Sequence, residues 1–345
     1  MRRWTGTRIM IFILQICWTI IQGESYVGSR GEMSKETKFT MDLENEKKIF
    51  DITSIYSWTG PNALARSSLI ERQENLQNNC EELPDIDNRR KIMGLGEFSN
   101  ILVDEKHKLL YCYVPKVACT NWKRVLMVIS GKWNGNDPIE IPADQAHATG
   151  IFPRLSNYTL DEIENKIINY NKLIVVRHPF ERLLSAFRNK LEAKHEKSSK
   201  YFQERFGRKI IKKYRVNATK ESISKGDDVT FREFVDFITD TKKNISQNEH
   251  WRPFSDLCHP CIVNYNLVSK YESLVEDATE ILERIGAESI TFPARSSKTQ
   301  PTSQKLNEYY STLSFKQLRK LANFYKTDLK LFDYSLEEIV GFSIA

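Results

Sequence analysis

Tyr111-Cys-Tyr-Val-Pro-Lys-Val-Ala-Cys-Thr-Asn-Trp-Lys-Arg124 is a run of β-forming residues that enters a tight turn and then continues with apolar residues at helical spacing. A strand, a turn and a helix in that order form phosphate-loop architecture. The first amides of the helix have no partner within it, and its dipole favours negative charge, so a phosphate or sulfate is held largely by backbone groups. Lys116 adds a mobile positive charge, and Thr120 supplies a hydroxyl and is the expected N-cap. The glycines of a Walker A loop are absent, which argues against a generic ATPase or GTPase.

A second junction of the same kind lies about 60 residues on, in Leu173-Ile-Val-Val-Arg-His-Pro-Phe-Glu-Arg-Leu-Leu-Ser-Ala-Phe187. Arg177 falls where a strand ends, and Pro179 suits the first turn of a helix. Arg182 and Ser185 are three apart on that helix and share a face, so an arginine fork and a hydroxyl are placed to grip a second phosphate. Glu181 reads as a solvated helix charge. Further strands are expected at 100–104, 108–114 and 172–176, with helices at 122–130, 180–191, 230–239, 272–285 and 314–324. Strands alternating with helices predict an α/β fold, a three-layer sandwich with a central parallel sheet and P-loop-like turns.

Together the two junctions resemble the paired donor-binding signatures of Golgi carbohydrate sulfotransferases. Val114-Pro-Lys-Val-Ala-Cys-Thr-Asn-Trp-Lys-Arg124 looks like the chondroitin and N-acetylgalactosamine 4-O-sulfotransferases, in the group that includes the HNK-1 sulfotransferase. Similar patterns occur in Glu140-Ile-Pro-Ala-Asp-Gln-Ala-His147, Lys225-Gly-Asp-Asp-Val229, Asn248-Glu-His-Trp251, Leu257-Cys-His-Pro-Cys261, Lys270-Tyr-Glu-Ser-Leu274 and Phe324-Tyr-Lys-Thr-Asp-Leu-Lys-Leu-Phe-Asp-Tyr-Ser335. The resemblance spans roughly 97–336 and implies 3′-phosphoadenylyl sulfate as donor, with no metal. It implies that Pro115, Lys116, Val117, Ala118, Cys119, Thr120 and Asn121 surround the 5′-phosphosulfate. Arg177, His178, Pro179, Phe180, Glu181, Arg182, Leu183, Leu184 and Ser185 then surround the 3′-phosphate, with Arg177 and Ser185 as chief ligands and no separate role for His178.

Sulfuryl transfer to an alcohol needs positive charge near the sulfate oxygens and a base for the attacking hydroxyl. Lys116 meets the first need. For the base, a neutral histidine is the natural candidate, and His147 lies between the two junctions in chain order, where the resemblance also places a catalytic histidine. A packed structural histidine is the competing reading of His147, and Glu249 and His250 are the alternative bases. Between Arg188 and Lys220 stand twelve Lys or Arg against three Glu, an excess that attracts a polyanion. No nucleic-acid module is recognisable, so a polymer of uronic acid and hexosamine, such as chondroitin, is the expected acceptor. A solvated basic face is the plainer reading. The nonenzymatic alternative is a lumenal glycan-binding protein, and a kinase would need metal-binding carboxylates that the sequence does not place.

The chain opens with Arg2, Arg3 and Arg8 ahead of an apolar run, Ile9–Ile21. That run is short for a bilayer, about 20 Å of helix against about 30 Å of hydrocarbon, yet no small-residue cleavage site follows it. The expected layout is a cytoplasmic tail at 1–8, a signal anchor or signal peptide at 9–21, a polar lumenal stem at 22–95 and a catalytic domain at 96–345, in a single-pass type II Golgi membrane protein. Asn157, Asn217 and Asn244 head glycosylation triplets. Cys258 and Cys261 form a CxxC motif, read as taking part in disulfides of open connectivity ahead of binding zinc in an oxidising compartment, and Cys119 reads as a packing residue. With 40% hydrophobic residues and a net charge of +6, the chain carries enough apolar sequence for a large core. Its oligomeric state is not legible.

Overall fold

The computed structural model describes residues 62–83, 95–193, 197–240, 248–293 and 302–340. In chain order the elements that matter are helix α1 (Ala63–Glu81), strands β1 (Ile101–Asp104) and β2 (Leu109–Cys112), helices α2 (Cys119–Ile129) and α3 (Leu160–Asn169), and strand β3 (Asn171–Val176). Helices α4 (Pro179–Phe187) and α5 (Phe231–Ile238), strand β4 (Leu267–Lys270) and helices α6 (Leu274–Arg284) and α7 (Phe315–Phe324) follow.

The strands form one sheet in the order β1-β2-β3-β4. β2 and β3 run parallel with Leu109 opposite Asn171, and β3 and β4 run parallel with Leu173 opposite Leu267. β1 pairs antiparallel with β2, Ile101 opposite Cys112. The expected sheet is therefore parallel in its core and mixed as a whole. The turn between β1 and β2, where Lys108 adopts a left-handed conformation (φ 47°), is too short for a parallel crossover and permits only a hairpin. All four residues of β2 and the last four of β3 are buried, so both faces of the sheet are covered and the layering is threefold.

Packing divides into two clusters. One surrounds the sheet and includes Tyr111, Trp122, Ile174 and Val268. The other draws mainly on helices and is rich in aromatic rings: Phe187 lies 5.6 Å from Phe234, and Trp251 lies 5.4 Å from Phe234 and 5.0 Å from Phe206, ring centre to ring centre. α4 belongs to this second cluster through Phe180, Leu183, Leu184 and Phe187, and so joins the helical layer to the strand that precedes it. α5 begins at a reciprocal cap, in which Thr230 Oγ1 accepts from the Glu233 amide and the Glu233 carboxylate accepts from the Thr230 amide.

α1 lies inside the stretch expected to be an unpatterned stem. Ordered packing thus begins well ahead of residue 95. Only Ala65, Leu69, Leu76 and Cys80 are buried on it, diluted by polar neighbours, so its periodicity is faint in sequence. Specific links hold it: the Cys80–Cys261 disulfide, Arg66 to Glu280 at 2.9 Å and Arg72 to Asp277 at 2.6 Å, the last two on α6. A second disulfide joins Cys112 at the end of β2 to Cys258. Both cysteines of the CxxC pair are therefore bonded to distant partners, and Cys119 is buried as a free thiol.

Asn157 and Asn217 are exposed, as glycosylation requires. Asn244, the apolar run 9–21 and the tail before it lie outside the described residues. No helix among the described residues is long and apolar enough to cross a membrane.

Candidate active site

The turn after β2 is shaped by two left-handed residues, Lys116 (φ 76°) and Ala118 (φ 63°). Non-glycine residues adopt that conformation at a cost of roughly 1 kcal/mol or more each, and backbone amides so arranged form anion-binding concavities. α2 starts at Cys119 with Ala118 as its N-cap and no side-chain cap. Thr120, expected as the cap, lies within the first turn instead, and its Oγ1 is 2.9 Å from His147 Nε2. Trp122 fixes the start of α2 against the sheet, packed between Tyr111 (6.0 Å) and Phe292 (5.0 Å). The Lys116 ammonium donates to Asn189 Oδ1 at 3.1 Å, which holds it between the two junctions.

At the second junction, Arg177 follows β3 and is only 3% exposed. It donates to Glu181 Oε2 through Nε (3.1 Å) and Nη2 (3.0 Å) and to the Lys116 carbonyl through Nη1 (3.3 Å), while its guanidinium lies 4.3 Å from the Tyr271 ring centre. Glu181 is thus the partner of a buried arginine, not a solvated helix charge. Pro179 occupies the first turn of α4 as expected, and His178 caps that helix: its Nδ1 accepts from the Phe180 amide and its Nε2 lies 3.0 Å from the Ser335 carbonyl. Burial lowers the His178 pKa to about 4.

Arg182 departs furthest from expectation. It is fully buried and donates to three backbone carbonyls, those of Pro115 (3.1 Å), Glu249 (2.7 Å) and Arg252 (2.7 Å). Its fork braces the phosphate turn against the 249–252 segment rather than gripping a ligand.

A cleft of about 1220 Å³ opens over both turns. Pro115, Lys116, Ala118, Cys119, Thr120, Asn121, His147, Arg177, Glu181 and Ser185 all line it. Val117, His178, Pro179, Phe180, Arg182, Leu183 and Leu184 do not, because they are packed in the core. Glu249 and His250 share the cleft wall, as do Arg188 and Lys190 at the start of the basic stretch. Farther along that stretch, Lys197, Lys200, Lys209 and Lys212 are simply exposed.

His147 is open to the cleft, yet crowding by its walls, reinforced by Lys123, Lys190 and Arg124, lowers its pKa to about 4. Burial likewise takes His250 to about 3, with Lys190 and Lys116 adding to the effect. Burial raises the Cys119 thiol, as befits a packing residue. Three residues that sequence reasoning missed complete the site. Asn189 lies four residues beyond Ser185, one turn farther along the chain; Lys123 is three beyond Thr120 on α2; and Tyr271 is in the quoted 270–274 motif. Helical spacing alone was enough to nominate Lys123.

The model of the Sulfotransferase family matches residues 99–335. The chain is 41% identical over 268 residues to carbohydrate sulfotransferase 11 of Mus musculus, covering 77% of this chain and 75% of that protein. It is 32% identical over 332 residues to carbohydrate sulfotransferase 9 of Homo sapiens, covering 91% and 73%. With carbohydrate sulfotransferase 14 of Danio rerio it shares 41% identity over 242 residues, 69% of this chain and 62% of that protein. No solved structure matches the chain.

Proposed function

Because the chain belongs to the Sulfotransferase family as a carbohydrate sulfotransferase, we propose that it transfers a sulfuryl group from 3′-phosphoadenylyl sulfate to the 4-hydroxyl of N-acetylgalactosamine in chondroitin. The observation that carries the reading is the clamping of two anion-ready junctions onto one cleft, with Arg177 donating to the Lys116 carbonyl between them. The donor, when bound, supplies the sulfuryl group. The 115–121 turn and Lys116 face its phosphosulfate, while Arg177 and Ser185 face its 3′-phosphate. For Arg177 this means exchanging part of its pairing with Glu181 for the phosphate. The acceptor enters past Arg188 and Lys190, whose charge suits a uronate polymer. Its hydroxyl proton passes to the cleft wall, where His147 and Glu249 both stand.

We place the reaction in the Golgi lumen, with the chain held by its 9–21 segment and residues 1–8 cytosolic. Two disulfides and exposed Asn157 and Asn217 support an oxidising, glycosylating compartment.

The test is incubation with donor labelled in its sulfate and with desulfated chondroitin, desulfated dermatan or oligosaccharides ending in N-acetylgalactosamine. Label is expected in N-acetylgalactosamine 4-sulfate units of chondroitin, and Lys116→Ala is expected to cut turnover by about 10²–10³ while binding of the desulfated product stays near wild type. Labelling of another acceptor alone overturns the chondroitin assignment. Donor and chondroitin binding without any transfer would instead indicate a nonenzymatic glycan-binding protein.

A further inference from the structure

Resting on the reading of this cleft as a sulfuryl-transfer site, we infer that Lys123 and His147 form a positioning pair that orients the Thr120 hydroxyl, and that His147 does not take the acceptor's proton. Donor and acceptor capacity fixes the arrangement. Among the described residues the His147 ring has two hydrogen-bonding neighbours, the Thr120 Oγ1 at 2.9 Å from Nε2 and the Lys123 Nζ at 3.4 Å from Nδ1. An ammonium has only donors, so the nitrogen that faces it must be the bare one. A neutral imidazole carries a single N–H, and that proton therefore sits on Nε2 and points at Thr120.

Two consequences follow for the site. The imidazole lone pair is directed at Lys123 and turned away from an incoming hydroxyl. Thr120 Oγ1, as acceptor from Nε2–H, keeps its own proton free to donate to an anion in the phosphate turn. Lys123 is itself held, with its Nζ 4.1 Å from the Tyr113 ring centre, so the chain from Tyr113 through Lys123 and His147 to Thr120 has a fixed direction. Glu249, whose carboxylate lines the same cleft and accepts no hydrogen bond from the described residues, is left to receive the acceptor's proton.

The pair is tested by histidine ¹⁵N NMR on the full chain without ligand, the His147 signals being identified by their loss in His147→Gln. The expected spectrum places the proton on Nε2 in wild type and in Lys123→Arg, and on Nδ1 in Lys123→Glu, where a carboxylate demands a donor. A wild-type proton on Nδ1 overturns the inference, whatever the protein transfers. Turnover supplies the second arm. Glutamine offers both an amide N–H for Thr120 and an oxygen for Lys123 but is no base, so His147→Gln should stay within about five-fold of wild type where His147→Ala loses ten-fold or more. A loss of about 10² in folded His147→Gln, the size expected for a missing base, also overturns it.

Discussion

Arg182 carries the consequences of burial at the scale of one residue. Its position three residues from Ser185 reads in sequence as a phosphate-gripping fork, but spacing along a helix does not say which face meets solvent. Here the fork closes on three carbonyls inside the protein. Replacing it with methionine keeps the volume and removes the donors, leaving buried carbonyls unsatisfied. Arg182→Met should therefore lower unfolding free energy by about 3 kcal/mol, read from denaturant midpoints. It should also weaken donor binding by the folded fraction, because the Pro115 end of the turn loses its brace. An unchanged midpoint would mean that these bonds contribute nothing net.

Among the elements, β2 has the heaviest duty, since it delivers the phosphate turn and is tied through Cys112 to Cys258, just beyond the 249–252 segment that Arg182 also grips. The bridge joins residues 146 apart in sequence, so loss of it in a Cys112→Ser/Cys258→Ser variant should cost up to about 5 kcal/mol on chain-entropy grounds. Equal stability of the variant and wild type under oxidising conditions would contradict this. The strand-to-helix junctions and the parallel core were legible because compact apolar runs, a helix-starting Pro179 and local turn chemistry are short-range signals. The antiparallel edge, the helix α1 and the two disulfide partners were not, because each depends on what lies opposite across more than a hundred residues or on a hairpin the periodicity does not reveal. Within the site, the residues of the first turn other than Val117 reached the cleft as read. The misplaced ones on α4 were Arg182 and the apolar and capping positions, whose burial only the helical layer decides.

At the scale of the whole molecule, buried histidines set the response to acid. Folded His178 stays neutral down to about 4 and His250 to about 3, whereas the unfolded chain protonates both near 6.5. Between those values the unfolded state holds more protons, so stability falls as pH drops from about 6.5 towards 4. Asp328 acts in the opposite sense. Burial raises its pKa to about 6, and over roughly 4 to 6 it is the folded state that retains the extra proton. With His178 and His250, joined in the same sense by His147, against one carboxyl, the denaturant midpoint should be lower at pH 5 than at pH 7; a higher midpoint at pH 5 would show that Asp328 dominates. Under the proposed function one cleft holds both phosphates of the donor nucleotide, and calorimetry on wild-type protein tests this without any substitution. Adenosine 3′,5′-bisphosphate should bind at least about thirty-fold more tightly than adenosine 5′-monophosphate, as charge-assisted hydrogen bonds from Arg177 and the Ser185 hydroxyl to the extra phosphate imply; equal affinity for the two nucleotides would rule out a 3′-phosphate site at these residues.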